Sequence, residues 1–139
     1  MNSGRLTQAQ GWGVAVLRVV VGIVFLAHGG QKLFVWGIGN VAGSFGQMGI
    51  PLPMLAAIVV TLVEFLGGLA LLLGLFARWA AIPLAIEMLV ATLVVHLRGG
   101  FFAPEGVEFT LTLLAANVAL ALLGSGEASL DRLLGKGKV

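Results

Sequence analysis

Six ionisable side chains stand inside otherwise apolar runs of this sequence: Arg18, His28, Lys32, Glu64, Glu87 and His96. At the centre of a membrane helix an Asp, Lys or Arg costs about 2.5–3.5 kcal/mol on insertion scales. Such residues are therefore expected to face one another or a wet cavity, where they can pair, exchange protons or hold a polar headgroup. Spacing supports a shared face in part. Arg18, Phe25 and Lys32 are seven apart and His28 precedes Lys32 by four, so they fall on one broad stripe of a helix. Thr61, Glu64 and Gly68 share a face of a second helix, and Gly67–Gly68 leaves room for a neighbour. Glu87 and His96 are nine residues apart, which on an ideal helix points them to opposite sides.

The scaffold that holds these residues follows from composition. The chain has 139 residues, 59% hydrophobic and 10% charged, with mean hydropathy +1.07. A soluble domain carries roughly 25% charged residues, so water is not the main solvent of this one. Absence of Cys excludes disulfides, thiolate metal sites and a cysteine nucleophile, and absence of Tyr removes the phenol. A net charge of +2 does not make a nucleic-acid surface. Hydrocarbon about 30 Å thick needs about 20 apolar residues per crossing. Four continuous stretches answer to that, at about 12–34, 54–76, 79–97 and 107–124. Without period-two alternation they read as helices, not barrel strands.

The expected fold is thus a single all-α integral membrane domain over residues 1–139, a four-helix bundle. A short interfacial segment, Val41–Met48, lies between the first two helices, and a cytoplasmic tail covers 125–139. Ala77 and Arg78 alone separate helices two and three. Arg5, Arg78, Arg132, Lys136 and Lys138 on one side, against Lys32 and Arg98 on the other, place both termini in the cytoplasm.

At 1.5 Å per residue, Arg18 lies roughly 9 Å and Glu87 roughly 12 Å from the inner edge, which suggests a structural ion pair. Glu64 lies roughly 15 Å and His28 roughly 9 Å below the outer edge. His28, Lys32 and Glu64, with His96 at the rim, form a candidate polar cavity. Each also has a plainer reading: a satisfied core histidine, a lysine snorkelling outward, a hydrogen-bonded strut. Asn117 reads as helix glue. No phosphate loop, HExxH, triad or metal-ligand cluster is present. Haem clasped by the two histidines is disfavoured, because their depths differ by about 6 Å.

Several spaced features together resemble the DoxX family of small four-helix bacterial membrane proteins. They are HGxxKL at His28–Leu33, E-x-x-GG-x-x-L-L-x-G-x-x-x-R from Glu64 to Arg78, LVVHLRGGFF around His96, and the closing SLDRLL. The resemblance covers about Val14 to Leu134, with Arg18, His28, Lys32, Glu64, Arg78 and His96 at the matching positions. It implies an inner-membrane protein, similar to the membrane subunit of thiosulfate:quinone oxidoreductases and linked to redox or oxidative stress. It assigns no catalytic role to any named residue.

Three functions compete. The first is a quinone-interacting component of an oxidoreductase, with His28, Lys32 and Glu64 at the headgroup and electrons drawn from a partner. The second is a non-catalytic anchor or scaffold that docks a soluble redox enzyme through the tail, where Leu130, Leu133 and Leu134 make an amphipathic end. The third is a small-solute or proton pathway through Arg18, Glu87, Glu64 and His28. The expected partners are membrane lipids, a quinone, and either a soluble enzyme or copies of the chain through Ala115 and Ala119. No intrinsic cofactor and no nucleic acid are expected.

Overall fold

The computed structural model describes residues 7–135. Among them six helices follow one another: α1 Gln8–Trp36, α2 Ile38–Gln47, α3 Pro53–Leu73, α4 Ala77–Gly99, α5 Glu108–Leu123 and the single turn α6 Leu130–Leu133. No strand occurs among the described residues. Three helices, α1, α3 and α4, are long and apolar enough to cross a membrane. With 16 residues, α5 spans about 24 Å and is the short member.

Local chemistry sets the boundaries. Thr7 and Gln10 form a reciprocal capping box at the start of α1. Gly37 at φ 83° ends α1 and lets α2 begin. The amphipathic α2 packs Val41 and Ala42 on Ala57 of α3. Pro53 occupies the first turn of α3, where its missing N–H costs nothing. Gly74, left-handed at φ 69°, closes α3 in a Schellman motif through Leu75 N to Ala70 O and Gly74 N to Leu71 O. The connection to α4 is therefore Gly74–Phe76, and Ala77 and Arg78 already belong to the helix.

The bundle sets buried polar side chains within an apolar core and is apolar outside. Arg18, Thr61 and Asn117 are 0% exposed, whereas Val16, Val20, Leu55, Leu66, Ile86 and Leu93 face outward. Hydrocarbon surrounding the bundle is the solvent that such a distribution fits. Close backbone approach of α1 and α3 makes the interior compact. A Cβ on Gly68 would lie 2.4 Å from Leu26 N, and one on Gly29 would lie 2.4 Å from Phe65 N. Only glycine permits that crossing.

Two segments depart from α geometry. Residues Gln31–Trp36 of α1 and Ala91–His96 of α4 are π-helical turns, and together they flank the end of the bundle covered by α2. Each absorbs one extra residue per turn and rotates the residues downstream of it.

The opposite end is closed by the segment read from sequence as a tail. Ser125, Ser129 and Asp131 are buried there, and Asp131 N donates to Gly74 O at 2.9 Å. Glu127 and Arg132 form an ion pair within the segment. Of the basic residues counted for orientation, Arg5, Lys136 and Lys138 lie outside the described residues.

Candidate functional site

Polar side chains gather at both ends of the bundle. At the closed end, Arg18 donates only to main-chain oxygens. Its Nε donates to Ser125 O (2.8 Å), Nη1 to Leu71 O (2.6 Å) and Leu72 O (3.1 Å), and Nη2 to Glu127 O (3.2 Å) and Ala128 O (2.9 Å). Carbonyls at the end of α3 lack the usual i+4 partner and retain acceptor capacity, and they mark the negative pole of its dipole. The guanidinium satisfies them. The Arg18–Glu87 ion pair expected from sequence is thus corrected: Arg18 spends its donors on main-chain carbonyls. Asp131 makes the complementary arrangement, accepting from Phe76 N (2.7 Å) and Ala77 N (3.1 Å) at the start of α4.

At the other end, between α1, α3, α4 and α5, lies a cavity of about 1450 Å³. Phe25, Phe45, Met48, Val60 and Leu113 contribute apolar wall, and His28, Lys32, Glu64, Glu87 and His96 all line it. Lys32 Nζ donates to Glu64 Oε2 at 2.7 Å, with the two side chains 13% and 7% exposed. Lysine at this position does not snorkel outward. Side chains on a helix lean toward its N-terminus, and that direction carries the ammonium down α1 to Glu64.

Glu87 joins this pair instead of Arg18. It stands close enough to Glu64 and Lys32 for their charges to act on it. The reason lies in where the helices start. Glu64 is nine residues above the end of α3 and Glu87 ten above the start of α4, placing them about 14 and 15 Å up. The two polar layers drawn from sequence, with Glu87 in the inner one, give way to a single layer of two carboxyls and one ammonium. Both Glu87 oxygens are buried and accept from no N–H or O–H donor among the described residues.

The histidines sit higher. His28 is exposed, and its ring stands 5.8 Å from that of Phe109, tilted by 40°. His96 Nδ1 is 3.2 Å from Glu105 O. Because a carbonyl only accepts, Nδ1 carries the hydrogen in that contact. Ideal helical spacing separates His96 from Glu87, yet both line the cavity. The π turn Ala91–His96 between them removes much of the angular difference. Neither composition nor periodicity announces such a turn; it shows only in the backbone.

Asn117 does not bridge helices. Its Nδ2 donates to Leu113 O of its own helix at 2.8 Å, and its Oδ1 is buried without a partner. Between α4 and α5 a side-chain hydrogen bond is made by Thr92 and Thr110, whose hydroxyls meet at 2.9 Å. Nothing in the sequence singles out that pair, because threonine is common on apolar helices. No group of three or more metal-ligating side chains occurs among the described residues.

Comparison with known proteins agrees with the motifs. Residues 13–97 match the family model described as DoxX. The chain is 38% identical over 144 residues to an uncharacterized membrane protein of Mycobacterium tuberculosis, covering 95% of this chain and 88% of the relative. It is 34% identical over 126 residues to a Bacillus subtilis protein named "Putative oxidoreductase CatD", covering 91% and 90%. It is 35% identical over 129 residues to the inner membrane protein YqjF of Escherichia coli, covering 89% and 93%. No solved structure matches.

Proposed function

This chain belongs to the DoxX family, and from that premise we propose that it is the quinone-interacting, membrane-embedded component of an oxidoreductase system. The observation that carries the reading is the Lys32–Glu64 pair, with Glu87 beside it, at the polar layer of a large apolar cavity. A quinone is an apolar body with a small polar head, and it needs apolar walls with few, well-placed polar groups. The polar layer offers a headgroup acceptors and exchangeable protons, with the Lys32 ammonium balancing the carboxyl charge. Reduction of the quinone takes two electrons and two protons and yields the quinol. The electrons come from the redox centre of a partner protein, since this chain has neither thiol nor phenol. The name of the Bacillus subtilis relative supports the redox assignment.

The topology that goes with this function has α1, α3, α4 and α5 each crossing the bilayer, with both termini on the cytoplasmic face of the bacterial plasma membrane. Lys32 is paired inside the bundle, so Arg78 and Arg132 at the closed end outnumber Arg98 at the other and favour that orientation. Relatives named inner membrane proteins support the location. The short α5 is accommodated by local thinning. A continuous solute path is disfavoured, because Arg18 is held by carbonyls in the closed end. Docking through a free tail is disfavoured too, because the segment through Asp131 is bound to its own bundle.

The test is lipid-extract mass spectrometry of protein taken from membranes into nanodiscs. Wild type retains quinone in roughly stoichiometric amount, and Ala56→Trp, which projects an indole from the cavity lining, retains less. Equal and trace retention in both would refute the reading.

A further inference from the structure

Resting on the reading of the cavity as a quinone site, we infer that Glu87 is the residue that touches the headgroup, and that Lys32 and Glu64 are the positioning pair beneath it. Three observations lead there. Glu64 is already committed, since its Oε2 accepts from Lys32 at 2.7 Å. Glu87 lines the same cavity, yet neither of its oxygens accepts from a donor among the described residues, although both are buried. The cation that could have made it a strut, Arg18, is fully used at the far end.

A buried polar group without a partner destabilises the fold that contains it. Glu87 receives no hydrogen bond from an N–H or hydroxyl group among the described residues. It lies against another carboxyl, to which it bonds only by sharing a proton, and it competes for that carboxyl's ammonium. Rules of local consistency are broken mostly where function requires it. A headgroup in the cavity supplies what the fold withholds. The carboxylate accepts from a quinol hydroxyl, and the carboxylic acid donates to a quinone carbonyl, so one side chain serves both redox states of the ligand. Lys32 and Glu64 orient this contact by fixing the field around Glu87, and the π turn above it brings His96 to the same cavity wall.

Loss of Glu87 is therefore expected to weaken binding without weakening the protein. The probe is decylubiquinone, followed by quenching of Trp36, which lines the cavity, in a Trp12→Phe/Trp79→Phe background in detergent micelles. Glu87→Leu is expected to raise Kd by about tenfold or more, the loss of one hydrogen bond to a charged group, with a melting midpoint equal to or above the parent's. Glu87→Gln, which keeps hydrogen-bonding capacity, falls between. Thr61→Val removes another buried, unpartnered polar atom but one outside the cavity lining; its affinity stays at the parent's value. Unchanged affinity in Glu87→Leu overturns the inference, as does lost affinity accompanied by a lower midpoint, the signature of a strut. If the parent protein binds the probe but Glu87→Leu binds it equally, only the inference fails. If the parent shows no saturable quenching, the quinone reading fails and the inference with it.

Discussion

Arg18 and Asp131 are joined through one serine. The Ser125 carbonyl accepts from Arg18 Nε at 2.8 Å, and the Ser125 hydroxyl donates to Asp131 Oδ2 at 2.8 Å. On either side of this link the cation caps the end of α3 and the anion caps the start of α4. Each charge sits at the helix pole that attracts it, and the C-terminal segment is the frame that holds both.

Asp131→Ala should therefore lower stability by about 1–2 kcal/mol through the lost cap alone. It should also loosen the segment that carries Arg132. Thermal unfolding in detergent reads the first effect, and the rate of tryptic cleavage at Arg132 reads the second. Unaltered protease resistance would mean that Arg18 alone retains the segment. Asp131→Asn keeps one acceptor and should lie between.

The crossing of α1 and α3 predicts a contrast between adjacent glycines. Gly68→Ala puts a Cβ 2.4 Å from the Leu26 backbone nitrogen, which cannot yield without separating the helices. Gly67→Ala meets only the Leu84 side-chain tip, at 3.1 Å. Overpacking against backbone costs about 1–3 kcal/mol or more, so Gly68→Ala should lower the melting midpoint clearly and Gly67→Ala little. Similar midpoints for the two would place the α1–α3 interface elsewhere.

Legibility in the sequence divides by physical cause. Apolar runs and glycine punctuation make the helices readable, because hydropathy and φ preferences act locally. The Lys32–Glu64 contact is within reach of depth counting, since both residues are numbered from clear helix ends. Glu87 is misplaced by a small error in where α4 begins and by the assumption that matched charges must pair. Arg18 takes carbonyls instead, and those carbonyls belong in part to a segment whose fold-back no local pattern encodes. The same holds for His96: a π turn changes the phase of a helix without changing its composition.

Removing one partner of the Lys32–Glu64 pair should cost more than removing both. Lys32→Ala leaves two buried carboxyls without their ammonium, a situation that costs about 3–5 kcal/mol when a buried pair is broken. Lys32→Ala/Glu64→Ala leaves a smaller imbalance and should recover part of that loss. A double-mutant cycle on melting midpoints measures the coupling. Additive effects would show that the 2.7 Å contact contributes nothing specific.

Asn117→Leu separates the two roles considered for that residue. As interhelical glue, Asn117 would be missed. The structure instead gives it one bond to Leu113 O within α5 and an unpartnered Oδ1. Replacing a buried, half-satisfied amide by an apolar side chain of the same branched shape is nearly neutral or stabilising, so the midpoint should hold or rise. Thr92→Val removes the Thr92–Thr110 hydrogen bond that does cross between helices and should lower it by about 1 kcal/mol. The opposite ranking would return the bridging role to Asn117.

The phase of α4 rests on how many residues its π turn holds. At 100° per residue, nine residues put His96 and Glu87 about 180° apart, and one extra residue absorbed in the π turn reduces this to about 80°. Val94 lies within that turn and faces outward. Deleting Val94 should let the turn relax to ordinary α geometry, preserving helical content by circular dichroism. Eight residues at 100° again give about 80°, so His96 should keep its phase, its contact with Glu105 O and its place on the cavity wall. Quenching of Trp36 by decylubiquinone should therefore stay close to the parent's. Inserting one alanine after Val90, ahead of the turn, should instead rotate His96 by about 100° and weaken the quenching. If the insertion binds the probe as tightly as the deletion, the π turn is not what brings His96 to the site.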